Sequence, residues 1–199
     1  MQKLAVGLLA ALLSPLAVAH DGHSHNLIQA AIHPFFGWDH LFAMVMVGMT
    51  AHQVMLHRHP NPKASLSTSP LAFPVAFMLL TACGLLMAQH GQLSVVPYEA
   101  MIVLSVFALG LTLIKPVTLR YNKVMLLLIG VFGFSHGYAH GAELGGSSTE
   151  LISGMLLGTG LLHTIGFLFS RQVANHQWAN RGIGISAVIA SGLAVLGAY

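Results

Sequence analysis

Six apolar runs, separated by short polar stretches, limit what this 199-residue chain can become. They cover about 38–56, 71–89, 98–114, 124–140, 150–169 and 182–198. A helix needs roughly 20 apolar residues to cross hydrocarbon, so each run is a candidate span, some with little to spare. The connections are too short to hold a separate soluble domain. The expectation is an all-α membrane protein, a bundle of six transmembrane helices forming one domain over residues 20–199. Composition agrees. Charged residues make up 7% of the chain, against about a quarter in soluble domains. The formal charge of +3 does not indicate nucleic acid, because the few basic residues are scattered among apolar segments and form no basic face.

Residues 1–19 read as a cleaved signal peptide. Lys3 supplies a positive start, Leu4 to Leu13 an apolar core, and Ala17-Val18-Ala19 a cleavage pattern. A retained first span is the alternative, and it is short for a bilayer. Cleavage would leave His20 at the mature N-terminus, with His23 and His25 close behind. A free amine beside three imidazoles can collect metal ions, or the segment is simply a solvated tail. Cys83 is the single cysteine, so no intrachain disulfide forms, and its apolar surroundings predict a small buried residue.

Charge placement sets the expected topology. Arg58 and Lys63 lie in the first connection, Lys115, Arg120 and Lys123 in the third, and Arg171 and Arg181 in the fifth. The second and fourth carry no Lys or Arg, and they hold or adjoin Glu99, Glu143 and Glu150. The positive-inside rule makes the odd connections cytoplasmic and both mature termini external. In a bacterium that means the inner membrane, with the acids on the periplasmic side. Small residues at i+4 spacing read as close helix packing: Gly133, Gly137 and Gly141 in the fourth run, Gly154 and Gly158 in the fifth, and Gly182, Ser186, Ala190, Ala194 and Ala198 in the sixth.

Polar residues at such positions are expensive and therefore functional candidates. The first group is His33-Pro34-Phe35-Phe36-Gly37-Trp38-Asp39-His40. Pro34 suits a first helical turn, and a helix starting there would set His33 and His40 two turns apart on one face. Gly37 is the weak point of that geometry. Asp39, turned about 100° from His40, either binds a cation directly or orients an imidazole. The second group is His136, His140 and Glu143, where i, i+4 and i+7 form one stripe. The expected topology brings both groups to the same outer leaflet. Imidazole and carboxylate without thiolate suit Ni, Co, Zn or Mn.

Further candidates extend a path inward. His163 and His52 lie within runs and Glu150 at the outer end of the fifth, although a histidine in a span also serves as a hydrogen-bonding residue between helices. Met44, Met46 and Met49 read mainly as core. His57, His59 and His176 fall in cytoplasmic connections and His90 in an outer one. No P-loop, GxSxG, HExxH or CxxC pattern occurs, so neither nucleotide coupling nor an enzyme is expected. The competing reading is a membrane haem protein with bis-His ligation. It is disfavoured because His136 and His140 sit one turn apart on one helix, whereas axial ligands face each other. An intramembrane metalloenzyme would lack an identifiable base or nucleophile.

The two groups resemble the signatures of the HupE/UreJ family of nickel and cobalt permeases. H-x5-D-H is matched by His33, Asp39 and His40. F-H-G-x-[A/V]-H-G-x-E is matched by His136, Gly137, Ala139, His140, Gly141 and Glu143, with Ser135 where the family has Phe. The resemblance covers the whole chain. It implies secondary uptake of Ni2+ or Co2+ as transient substrate, with no prosthetic group, for hydrogenase, urease or cobalamin. It names neither the metal nor the oligomeric state.

Overall fold

The computed structural model describes residues 27–56, 69–88, 98–115, 122–144, 149–173 and 177–196. The expected signal segment at 1–19, the histidines His20, His23 and His25 that follow it, and His57, His59, His90 and His176 lie outside them. Among the described residues the protein is all-helical, with seven α-helices and no strand. These are α1 (Leu27–Ile32), α2 (Trp38–Leu56), α3 (Ala72–Ala88), α4 (Tyr98–Ile114), α5 (Asn122–Glu143), α6 (Thr149–Gln172) and α7 (Gln177–Val195). Two segments, Lys123–Glu143 and Thr149–Gln172, are long and apolar enough to cross a membrane, while α3 and α4 are apolar but shorter.

One departure from expectation shapes the site. The helix does not run unbroken from Pro34. A short α1 leads into a 3-10 turn, His33–Phe35, and α2 begins afresh at Trp38. Pro34 sits at the start of the turn, which closes with Phe36 N–H donating to the carbonyl of His33 at 3.1 Å. The first bond of α2 runs from Leu41 N–H to the carbonyl of Gly37 at 2.9 Å. His33 and His40 therefore stand on separate elements and do not share one helical face.

Three close pairings build the body. In α3 and α5, a Cβ on Gly133 would overlap the carbonyl of Phe77, one on Gly137 that of Thr81, and one on Gly84 that of Phe134. Thr81 Oγ1 also donates to the carbonyl of Gly133 at 3.0 Å. In α2 and α6, Gly48 lies against the backbone of His163, and Gly166 against that of Val45. The same helix receives α1, since Gly154 and Gly158 meet the carbonyls of Leu27 and Ala31. Backbones come this close only where side chains are absent, the packing mode that small residues permit. The i+4 glycines of α5 and α6 thus act as packing residues.

The register of α7 differs from the expected one. Gly182 meets nothing within 4 Å, whereas Gly184 faces Gly110 and Ile114 of α4. Its inner stripe is Gly184, Ala187 and Ser191, and Gly182 and Ser186 are exposed. A run uniformly rich in small residues carries little information about which face is turned inward. Cys83 is likewise exposed, not buried, because Thr81 and Gly84 occupy the face of α3 turned inward. Met44, Met46 and Met49 are fully buried beside Phe73, Phe77 and Phe132.

Candidate metal site

The start of α2, the end of α5 and the start of α6 meet at one end of the molecule. His140 of α5 is the centre. Its ring lies 4.8 Å from that of His33 on the 3-10 turn and 4.3 Å from that of His40 on α2. His40 also approaches His136, at 5.4 Å between centroids. Four imidazoles from three elements thus form a connected chain, His33–His140–His40–His136. Glu143, one turn beyond His140, places Oε2 3.8 Å from His140 Nδ1. One ligand atom each from His33, His140 and Glu143 falls within 4.8 Å of the others. Donors that share an ion at about 2 Å lie roughly 3–4 Å apart, so a small inward shift would complete a shared coordination shell.

Gly37 explains how His40 fits. A Cβ there would stand 2.6 Å from His40 Cδ2 and 2.9 Å from Asp39 Oδ1. The glycine breaks the helix and leaves space for the ring. Asp39 Oδ1 accepts the backbone N–H of His40 at 2.8 Å and lies 3.8 Å from His40 Nδ1. This carboxylate is therefore anchored to the first turn of α2 beside His40.

The hydrogen bonds fix which nitrogen is available. His136 Nδ1 lies 2.8 Å from the carbonyl of Phe132 and must donate to it, since a carbonyl only accepts. Nε2 then carries the lone pair, and it is buried without a hydrogen-bond partner. His40 Nδ1 and both ring nitrogens of His140 are also buried and unpartnered. Leaving such an atom unpaired costs about 1–3 kcal/mol. A cation would recover that cost, and a backbone carbonyl orienting the far side of an imidazole is the usual support for a metal ligand.

The remaining candidates divide. His163 is buried on α6, with Nδ1 2.7 Å from the carbonyl of Met44. His52 is buried further along α2 and pairs with Ser170 Oγ at 2.9 Å. Glu150 is exposed at the start of α6. Sequence reasoning did not single out Phe77, whose ring touches His136 at 5.3 Å and His163 at 5.2 Å. Nothing distinguishes it in the sequence from the other phenylalanines; only the packing of α3 shows its position.

Comparison with known proteins agrees with the two motifs. The family model described as "HupE / UreJ protein" matches residues 8–197. Protein HupE of Rhizobium leguminosarum bv. viciae is 29% identical over 199 residues, covering 98% of this chain and 95% of its own. No solved structure gives a significant match. The chain belongs to the HupE/UreJ family.

Proposed function

We propose that the protein is a permease, not an enzyme, that takes up a divalent transition-metal ion, Ni2+ or Co2+, for the assembly of metalloenzymes such as hydrogenase or urease, or of cobalamin. The observation that carries this reading is the convergence of His33, His40, His136, His140 and Glu143 inside an apolar helical body, with His40 Nδ1, His136 Nε2 and both nitrogens of His140 lacking a hydrogen-bond partner. Family membership supports the transport role.

The body suits a bilayer. Leu79, Leu104, Leu127, Leu157, Leu161 and Leu193 are exposed on its outer surface. Each is about half exposed and would forfeit about 1 kcal/mol in water, a loss that lipid removes. The described charges are also divided by end. Asp39, Glu143 and Glu150 lie at the cluster end, and Lys123 and Arg171 at the opposite ends of α5 and α6. Under the positive-inside rule the cluster faces the periplasm of an inner-membrane protein with both mature termini outside.

In this reading the cluster captures the hydrated dication and replaces part of its water shell, with Glu143 and Asp39 offsetting its charge. Membrane potential then draws it inward with about 4.6 kcal/mol per 100 mV, twice the single-charge value. Several weak positions serve transport better than one tight one, which would trap the ion. His20, His23 and His25 would raise the local ion concentration. The haem reading fits poorly, because His40 and His140 pack directly against each other and leave no gap for a macrocycle between them.

The test is uptake of labelled Ni2+ by cells carrying His40→Ala or His136→Ala. Both variants should reach the membrane in normal amounts and lose uptake. Wild-type accumulation in either would refute the assignment. Competition by Co2+, Zn2+ and Mn2+ identifies the preferred cargo.

A further inference from the structure

His163 is a buried histidine of α6 that lies outside the cluster. Its Nδ1 must donate to the carbonyl of Met44, so Nε2 holds the lone pair. That atom is buried and has no hydrogen-bond partner. One turn earlier on the same face of α6 stands Thr159, fully buried, with Oγ1 also unpartnered. A helical threonine normally returns its hydroxyl proton to a carbonyl one turn back. Thr164 does so, donating to Gly160 at 2.8 Å, and Thr159 does not. Two buried side chains one turn apart on a single helical face therefore each keep a polar atom without a hydrogen-bond partner.

Their position relative to the cluster gives them a use. Side chains on a helix lean toward its N-terminus, and the N-terminus of α6 is the cluster end. The His163 ring therefore leans toward the cluster. The Met44 carbonyl that holds it lies one turn beyond His40 on α2. The Phe77 ring touches both His136 and His163, so it links the cluster to this part of α6.

We propose that His163 Nε2 and Thr159 Oγ1 form a second, inner station for the transported dication, separated from the outer cluster by the ring of Phe77. This deepens the permease reading and rests on it. One imidazole, one hydroxyl and retained water hold Ni2+ or Co2+ weakly, which suits a position that must release its ion inward. An ion arriving in the outer cluster repels the one inside and drives it onward.

The test uses purified full-length protein in detergent, with His20, His23 and His25 replaced by Ala in every sample so that the tail adds no equivalent, titrated with Co2+ and followed by ligand-field absorption. The wild type should bind two equivalents, the second more weakly. His163→Asn keeps an N–H near the position of Nδ1, and hence the bond to Met44, but removes Nε2. It should bind one equivalent with unchanged affinity, and Ni2+ uptake into vesicles should fall about tenfold or more. Thr159→Val, of matching shape, should weaken only the second equivalent, and it decides the matter if His163→Asn fails to fold. A wild type that binds one equivalent, or a variant that keeps the second, overturns the inner station and leaves the outer one standing. Failure of the wild type to bind any Co2+ or Ni2+ overturns the permease reading and the station with it.

Discussion

The α4–α7 pair and the cluster end of α2, α5 and α6 both bury polar side chains, but they treat them in opposite ways. In α4 and α7, Ser105, Thr112 and Ser191 donate to carbonyls of their own helices, at 2.6, 2.7 and 2.9 Å. Asn180 Oδ1 is the exception there. At the cluster end His136 bonds a carbonyl through Nδ1 alone, and His136 Nε2, His40 Nδ1 and both nitrogens of His140 have no hydrogen-bond partner. The flank uses polarity to close its own backbone, while the cluster holds polarity for something else. The presence of polar groups does not separate the two regions; the fate of their hydrogen bonds does.

The sharpest way to break this contrast is to remove its centre. His140→Ala should weaken the tighter Ni2+ equivalent, the one held by the outer cluster, by about 100-fold or more in equilibrium dialysis. Ser191→Ala on the flank should leave binding unchanged. Equal effects would erase the distinction. Next come the glycines. Gly137→Ala drives a methyl into the Thr81 carbonyl and should lower the stability of the detergent-solubilised protein by about 2 kcal/mol or more. Gly182→Ala meets open space and should be neutral or raise stability by about 0.5–1 kcal/mol through helix propensity. The smallest effect is expected at Thr81→Val, which removes the bond to Gly133. It should cost about 1 kcal/mol in thermal unfolding and leave Ni2+ affinity unaltered.

Much of this was legible in the chain. Periodicity and length marked the helical runs, and the i, i+4 spacing of His136 and His140 placed two imidazoles on one face. Charge alternation brought the two motifs to one end before any contact was known. What escaped had physical causes. Pro34 signals a helix start equally well whether the helix continues or stops after one 3-10 turn, so the separation of His33 from His40 hung on Gly37 alone. A run of small residues offers several equivalent faces, which hid the Gly184 register. Cys83 sits among apolar neighbours whichever way it points. The role of Phe77 depends on where α3 meets α5 and α6, a non-local fact.

The glycine contacts have a mechanical corollary. α3 and α5 are locked backbone to backbone, and so are α1, α2 and α6. The cluster draws His136, His140 and Glu143 from the first block and His33, Asp39 and His40 from the second. It therefore straddles a seam between two stiff pieces. Any rocking of one piece against the other changes the number of ligands an ion can reach at once, while neither piece needs to deform internally. In that geometry an ion held by the cluster would be the rivet across the seam, and its hydration would be set by how far the seam stands open.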